Sequence, residues 1–148
     1  MLLHRIFVIR FFVACLLGLP LLAFAASPSA SSPEGTVKEF FELIAANRPE
    51  EAAAFLEFNK HRNEKGDVSE KEKEFWKAYQ KAIGPDMAKG LHKSFQKSGG
   101  IKSVETKLVS QEGDTAVVEF TMALGNGKKE TNKINLVKED GRWAILLK

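Results

Sequence analysis

The hydrophobic period changes at Gly99-Gly100, and that change constrains the fold more than any other feature of the sequence. Upstream, apolar residues recur every three to four positions. Val37, Phe40, Phe41 and Ile44 make one stripe, Phe75, Trp76, Tyr79 and Ile83 a second, and Met87, Leu91 and Phe95 a third. Downstream the period is two, most clearly in Ala116, Val118, Phe120, Met122 and Leu124. A run of helices followed by a run of strands predicts an α+β domain, its N-terminal helices packed on a curved four-stranded antiparallel sheet.

Punctuation sets the boundaries. Ser32-Pro33-Glu34 reads as a helix start, with Ser as N-cap, Pro at the first position and an acid in the first turn. Asn47 ends that helix. Pro49 with Glu50 and Glu51 opens a second, which turns Ala52, Phe55 and Leu56 inward. The polar segment between Lys60 and Asp67 reads as a loop, and Ser69 to Glu72 as a capping box launching a third helix. Gly84-Pro85 is expected to break it, leaving a short fourth helix that Gly99-Gly100 ends. Four strands follow, joined by turns at Gly113-Asp114, Gly125-Asn126-Gly127 and Asp140-Gly141. Val104, Leu108, Ile134, Leu136, Trp143, Ile145 and Leu147 are expected to face the core, with Asn132 on the same inner face.

The first 25 residues read as an address rather than as fold. Two arginines and no acids precede an apolar run that ends in Ala23-Phe24-Ala25, which satisfies the small-residue cleavage rule. The expected organisation is a signal peptide at 1–25 cut between Ala25 and Ala26, a flexible leader at 26–32, and one domain at 33–148. The run from Phe11 to Ala26 falls short of the roughly 18–20 residues that span a bilayer, so no stable anchor is expected after cleavage. Cys15 is a poor lipidation site, because only four apolar residues separate it from Arg10. The chain's only cysteine and two of its 22 basic residues lie in this segment, and none of its 19 acids, so the net charge falls from +3 to +1 on cleavage. That excludes a disulfide framework and leaves no basic excess for nucleic acid. The expected location is the periplasm or the exterior.

The segments SPEGTVKEFFELIAANRPEEAAAFL and GGIKSVETKLVSQEGDTAVVEFTMALGNGKKETNKINLVKEDGRWAILLK resemble the bacterial envelope family called domain of unknown function 4878. GDTAVV, the GNGK hairpin and LVKEDGRW carry most of the likeness. That family belongs to the nuclear transport factor 2-like superfamily. The resemblance implies a curved sheet wrapped by helices around a conical cavity, and no particular reaction.

Enzymes of that superfamily place an acid, tyrosine or histidine inside the cone. Here alternation puts Glu105 and Glu119 on the outer face, and the inner face carries Asn132, which is no base. Neither His61 nor His92 has a second ligand at metal spacing, so no metal or other cofactor is expected. The aromatic residues read as core or, for some, as pocket lining. Trp76, Tyr79, His92, Met122, Asn132 and Trp143 form the candidate ligand-binding set, a mainly apolar pocket with few polar groups. The reading is a non-enzymatic module that binds a small apolar ligand or an envelope protein through its cone or sheet. The alternatives are an inhibitor or immunity-type protein of an envelope hydrolase, and an isomerase- or dehydratase-like enzyme using Tyr79 or His92. Val117, Ala123, Ala144 and Leu146 place apolar groups on the outer sheet face, where a homodimer is expected to form.

Overall fold

A computed structural model describes residues 32–58 and 69–147. The expected signal peptide, its cleavage site at Ala25 and Ala26, the leader up to residue 31 and the loop carrying His61 lie outside the described residues. No described helix is long and apolar enough to cross a membrane.

Helix α1 (Pro33–Ala45) forms where its punctuation predicts. Ser32 Oγ accepts the Gly35 N–H at 3.1 Å, and buried Thr36 donates its hydroxyl to the Ser32 carbonyl at 2.9 Å. The far end closes on Asn47, whose φ of 55° lets the Arg48 N–H reach back to the Leu43 carbonyl at 3.0 Å. α1 lies across the sheet and buries Val37, Phe40, Phe41 and Ile44.

Two expectations need correction. The second helix, α2 (Pro49–Ala53), is a single turn and a half, and the chain straightens at Leu56–Glu57 into strand β1. Phe55 and Leu56 are buried as expected, Phe55 in the turn after α2 and Leu56 in β1 rather than on a helix. β1 pairs in parallel with the last strand, so the sheet has five strands and is mixed. Two residues are too few to show a period, which is why the pattern missed them.

The second correction concerns Gly84-Pro85. One helix, α3 (Glu70–Lys97), runs straight through both residues. Pro85 offers no N–H to the Lys81 carbonyl one turn back. Tertiary contacts beside it hold the helix together. Gly84 packs so closely on α2 that an added Cβ would stand 2.8 Å from the Ala53 Cβ, and Gln80 Nε2 donates to the Ala53 carbonyl at 3.0 Å. α3 starts with the predicted capping box on Ser69 and Glu72.

The strands β2 (Ile101–Glu112), β3 (Thr115–Leu124), β4 (Lys129–Glu139) and β5 (Arg142–Leu146) form an antiparallel meander. The sheet order is β1-β5-β4-β3-β2. Alternate residues of β3 from Ala116 to Leu124 are buried, as the period of two requires. Register shifts along β2 leave Val109 as an exposed extra residue opposite Val117. Asp140 and Gly141 both take positive φ, at 48° and 79°, which a tight two-residue hairpin demands.

The change of period at Gly99-Gly100 is also a structural joint. Both glycines have positive φ, and the Gly100 N–H bonds the Phe95 carbonyl to close α3. A Cβ on Gly125 would lie 2.0 Å from the Gly99 oxygen, so the β3–β4 turn sits directly on the helix end. Side chains of α1, β1 and β3–β5, with Ala88 of α3, fill one core.

Candidate functional site

A groove of about 570 Å³ lies beside β5. It exists because β1 covers only part of that strand. Leu56 and Glu57 pair with Ile145 and Leu146, while among the described residues no strand pairs with the upstream half of β5, Arg142–Ala144, on that side. α2 and α3 close the gap from above. Its apolar lining is Ala53, Ala54, Leu56, Pro85, Trp143 and Ala144. Lys77 and Lys81, one helical turn apart on α3, supply cations along one wall. Glu139, Asp140 and Arg142 line the groove from the β4–β5 hairpin, and Glu57 from β1. The volume lies within the roughly 300–1,000 Å³ of small-molecule and cofactor sites.

Of the six candidate pocket residues, Trp143 lines this groove. It is 4% exposed, and Lys138 Nζ stands 5.9 Å from its ring centroid. Trp76 and Tyr79 instead join Phe58 and Phe75 in a cluster on α3, with the Phe58–Tyr79 and Trp76–Tyr79 centroids 5.5 and 5.7 Å apart. Met122 is buried in the core, paired with Val104 on one side and Glu130 on the other. Asn132 is exposed opposite Phe120. His92 donates its Nδ1–H to the Ile44 carbonyl at 2.7 Å and so ties α3 to the last turn of α1. The six residues therefore occupy several places rather than one cavity. On the outer sheet face, Val117, Ala144 and Leu146 are half-buried towards one end, and Ala123 is half-buried towards the other. Glu119 stands between Lys107 and Lys133 in register on the same face.

Sequence reasoning missed Lys77, Lys81, Pro85 and Arg142. A two-residue strand and a helix unbroken at Gly84-Pro85 create the groove; the strand is too short to show a period, and Gly84-Pro85 reads locally as a helix break. Thr36 is the only polar side chain among the buried residues described, and every buried side-chain polar atom described has a hydrogen-bond partner.

No protein-family model matches the sequence, and no curated protein matches it either. Solved structures share the architecture, among them two bacterial proteins. One is a protein from Campylobacter jejuni named as a nuclear transport factor 2-like transpeptidase. It matches with a TM-score of 0.55 at 19% identity, covering 80% of this chain and 100% of that one. The other is a SEC-C motif-containing protein from Rhodopseudomonas palustris, with a TM-score of 0.50 at 15% identity, covering 80% of this chain and 78% of that one. The chain thus has an α+β fold of the nuclear transport factor 2-like kind, with a five-stranded mixed sheet.

Proposed function

We propose that this chain is an exported, non-enzymatic binding module of the bacterial cell envelope and a member of the domain of unknown function 4878 family. Its ligand, a small apolar molecule or a segment of a partner protein, sits in the groove beside β5. The observation that carries this reading is the groove itself, with an apolar floor bordered by charged side chains. Acid–base catalysts draw their shifted pKa values from burial and close charge pairs. Glu50, Lys77, Lys81, Asp140 and Arg142 around this groove are all exposed.

A thermal-shift series on the purified protein with lipophilic ligands tests the reading. A ligand at about 100 times its Kd adds about 2.7 kcal/mol, roughly 10 °C for a domain of this size. Ala54→Trp places an indole in the groove from an exposed position, and is expected to abolish the shift while preserving the fold. No shift with any ligand or with envelope extract would overturn the proposal.

A further inference from the structure

The main chain of β5 says more about the occupant of the groove than its side chains do. Ile145 and Leu147 donate their N–H groups to the carbonyls of Phe55 at 2.7 Å and Glu57 at 2.9 Å. Odd-numbered residues of β5 therefore turn their N–H and C=O groups away from β4 and toward β1. The Lys138 N–H, bonded at 2.7 Å to the Asp114 carbonyl just ahead of β3, fits the same alternation. Trp143, two residues upstream of Ile145, directs its N–H and C=O to that same edge, ahead of the point where β1 begins.

The preceding chain does not continue the ladder there. The Phe55 N–H bonds the Ala52 carbonyl at 3.1 Å, and the Ala53 carbonyl accepts from Gln80 Nε2 at 3.0 Å. Among the described residues no strand pairs with this edge of β5 at Trp143, which lines the groove together with Ala53 and Ala54. β1 already docks on β5 through main-chain hydrogen bonds, so this strand accepts a neighbour in the way that sheet edges accept extended peptides. Charge adds a direction. Lys77 and Lys81 stand one turn apart on the α3 wall, whereas the hairpin contributes Glu139 and Asp140 together with Arg142, and Glu50 and Glu57 line the remaining sides.

We propose that the groove binds a short extended peptide that adds a main-chain rung to β5 at Trp143 and directs a carboxylate to Lys77 and Lys81. This deepens the binding-module reading and rests on it. The carboxylate is either the peptide's C-terminus or an acidic side chain.

The test offers the purified protein three tetrapeptide pools: one with free C-termini, one amidated without acidic residues, and one amidated with Asp or Glu. Binding is read as slowed exchange of the Trp143 amide proton. The free-acid pool is expected to slow that exchange at least tenfold at saturation. Retention of the amidated acidic pool alone assigns the carboxylate to a side chain, and retention of the free-acid pool alone assigns it to the terminus. Both outcomes support the proposal. Lys77→Glu with Lys81→Glu, both at exposed positions, is expected to weaken binding at least tenfold at unchanged Tm. Equal retention of the amidated pool lacking acids, or full binding by the lysine variant, overturns the carboxylate assignment. Unchanged Trp143 exchange with every pool, while lipophilic ligands still stabilise the protein, overturns the peptide and leaves the module reading standing. Failure of both kinds of ligand removes the two together.

Discussion

α1 and the first half of α3 carry similar aromatic patterns and put them to opposite use. Phe41 in α1 is 5% exposed, and its ring lies 4.7 Å from Phe120 and 6.3 Å from Phe95. Phe75 and Tyr79 in α3 are 60% and 38% exposed, and their ring contacts are with each other, Trp76 and Phe58. Helical spacing states which residues share a face; it does not state what lies opposite. α1 has the sheet across from it, whereas α3 packs mainly on α2 and α1, through residues on other faces than Phe75 and Tyr79.

Truncating one ring from each helix is the hardest test of that contrast. Phe41→Ala is expected to cost about 3–5 kcal/mol in urea unfolding, the range for a buried aromatic. Phe75→Ala is expected to cost about 0.5 kcal/mol or less, as for a surface position. Comparable losses at the two sites would break the comparison.

The same contrast explains how much was legible in advance. Strands β2 to β5, their turns and both helix caps follow from local chemistry, because each is written in a few neighbouring residues. Ser69 and Glu72 form their box, and Asp140-Gly141 turns its hairpin, whatever the rest of the chain does. The groove is a non-local object. It needs Leu56 and Glu57 to stop where they do on β5, and it needs α3 to pass unbroken beside Ala53. The expected break at Gly84-Pro85 is wrong: the pair's local preference is to end a helix, and packing overrides it. Trp143 was found because it combines a strand position with a large ring. Lys77 and Lys81 look like any solvated pair on a helix.

Gly84→Ala sharpens that point with an intermediate effect. Alanine in a helix interior gains about 0.5–1 kcal/mol over glycine. Its Cβ would meet the Ala53 Cβ at 2.8 Å, and such overpacking costs about 1–3 kcal/mol. A net loss near 1 kcal/mol is expected. In an Ala53→Gly background the clash disappears, and Gly84→Ala should become neutral or stabilising. A double-mutant cycle with no coupling would show that close packing at Gly84 is not what carries the helix past Pro85.

The smallest effects come from the two N-caps, which share a chemistry and differ in what they hold. Ser32 Oγ caps a helix locked into the core, whereas Ser69 caps a helix start whose first turn is exposed. Ser32→Ala should lower global stability by about 1 kcal/mol. Ser69→Ala removes a cap of similar worth, but the loss should appear as faster amide exchange over the first turn of α3, with little change in the global midpoint. Glu70 reports on that same turn. The hydrogen bond from Lys73 at 2.7 Å, and then its charge, hold the Glu70 carboxyl below its usual range. A carboxyl depressed in the folded state favours folding above its unfolded pKa, and the benefit fades as pH falls through the folded value. Fraying in Ser69→Ala should move the Glu70 titration back up toward that of a free carboxylate, whereas Ser32→Ala should leave it in place. A Glu70 midpoint insensitive to Ser69→Ala would mean that the first turn of α3 is held by more than its cap, and that the two halves of the molecule differ less than their exposure suggests.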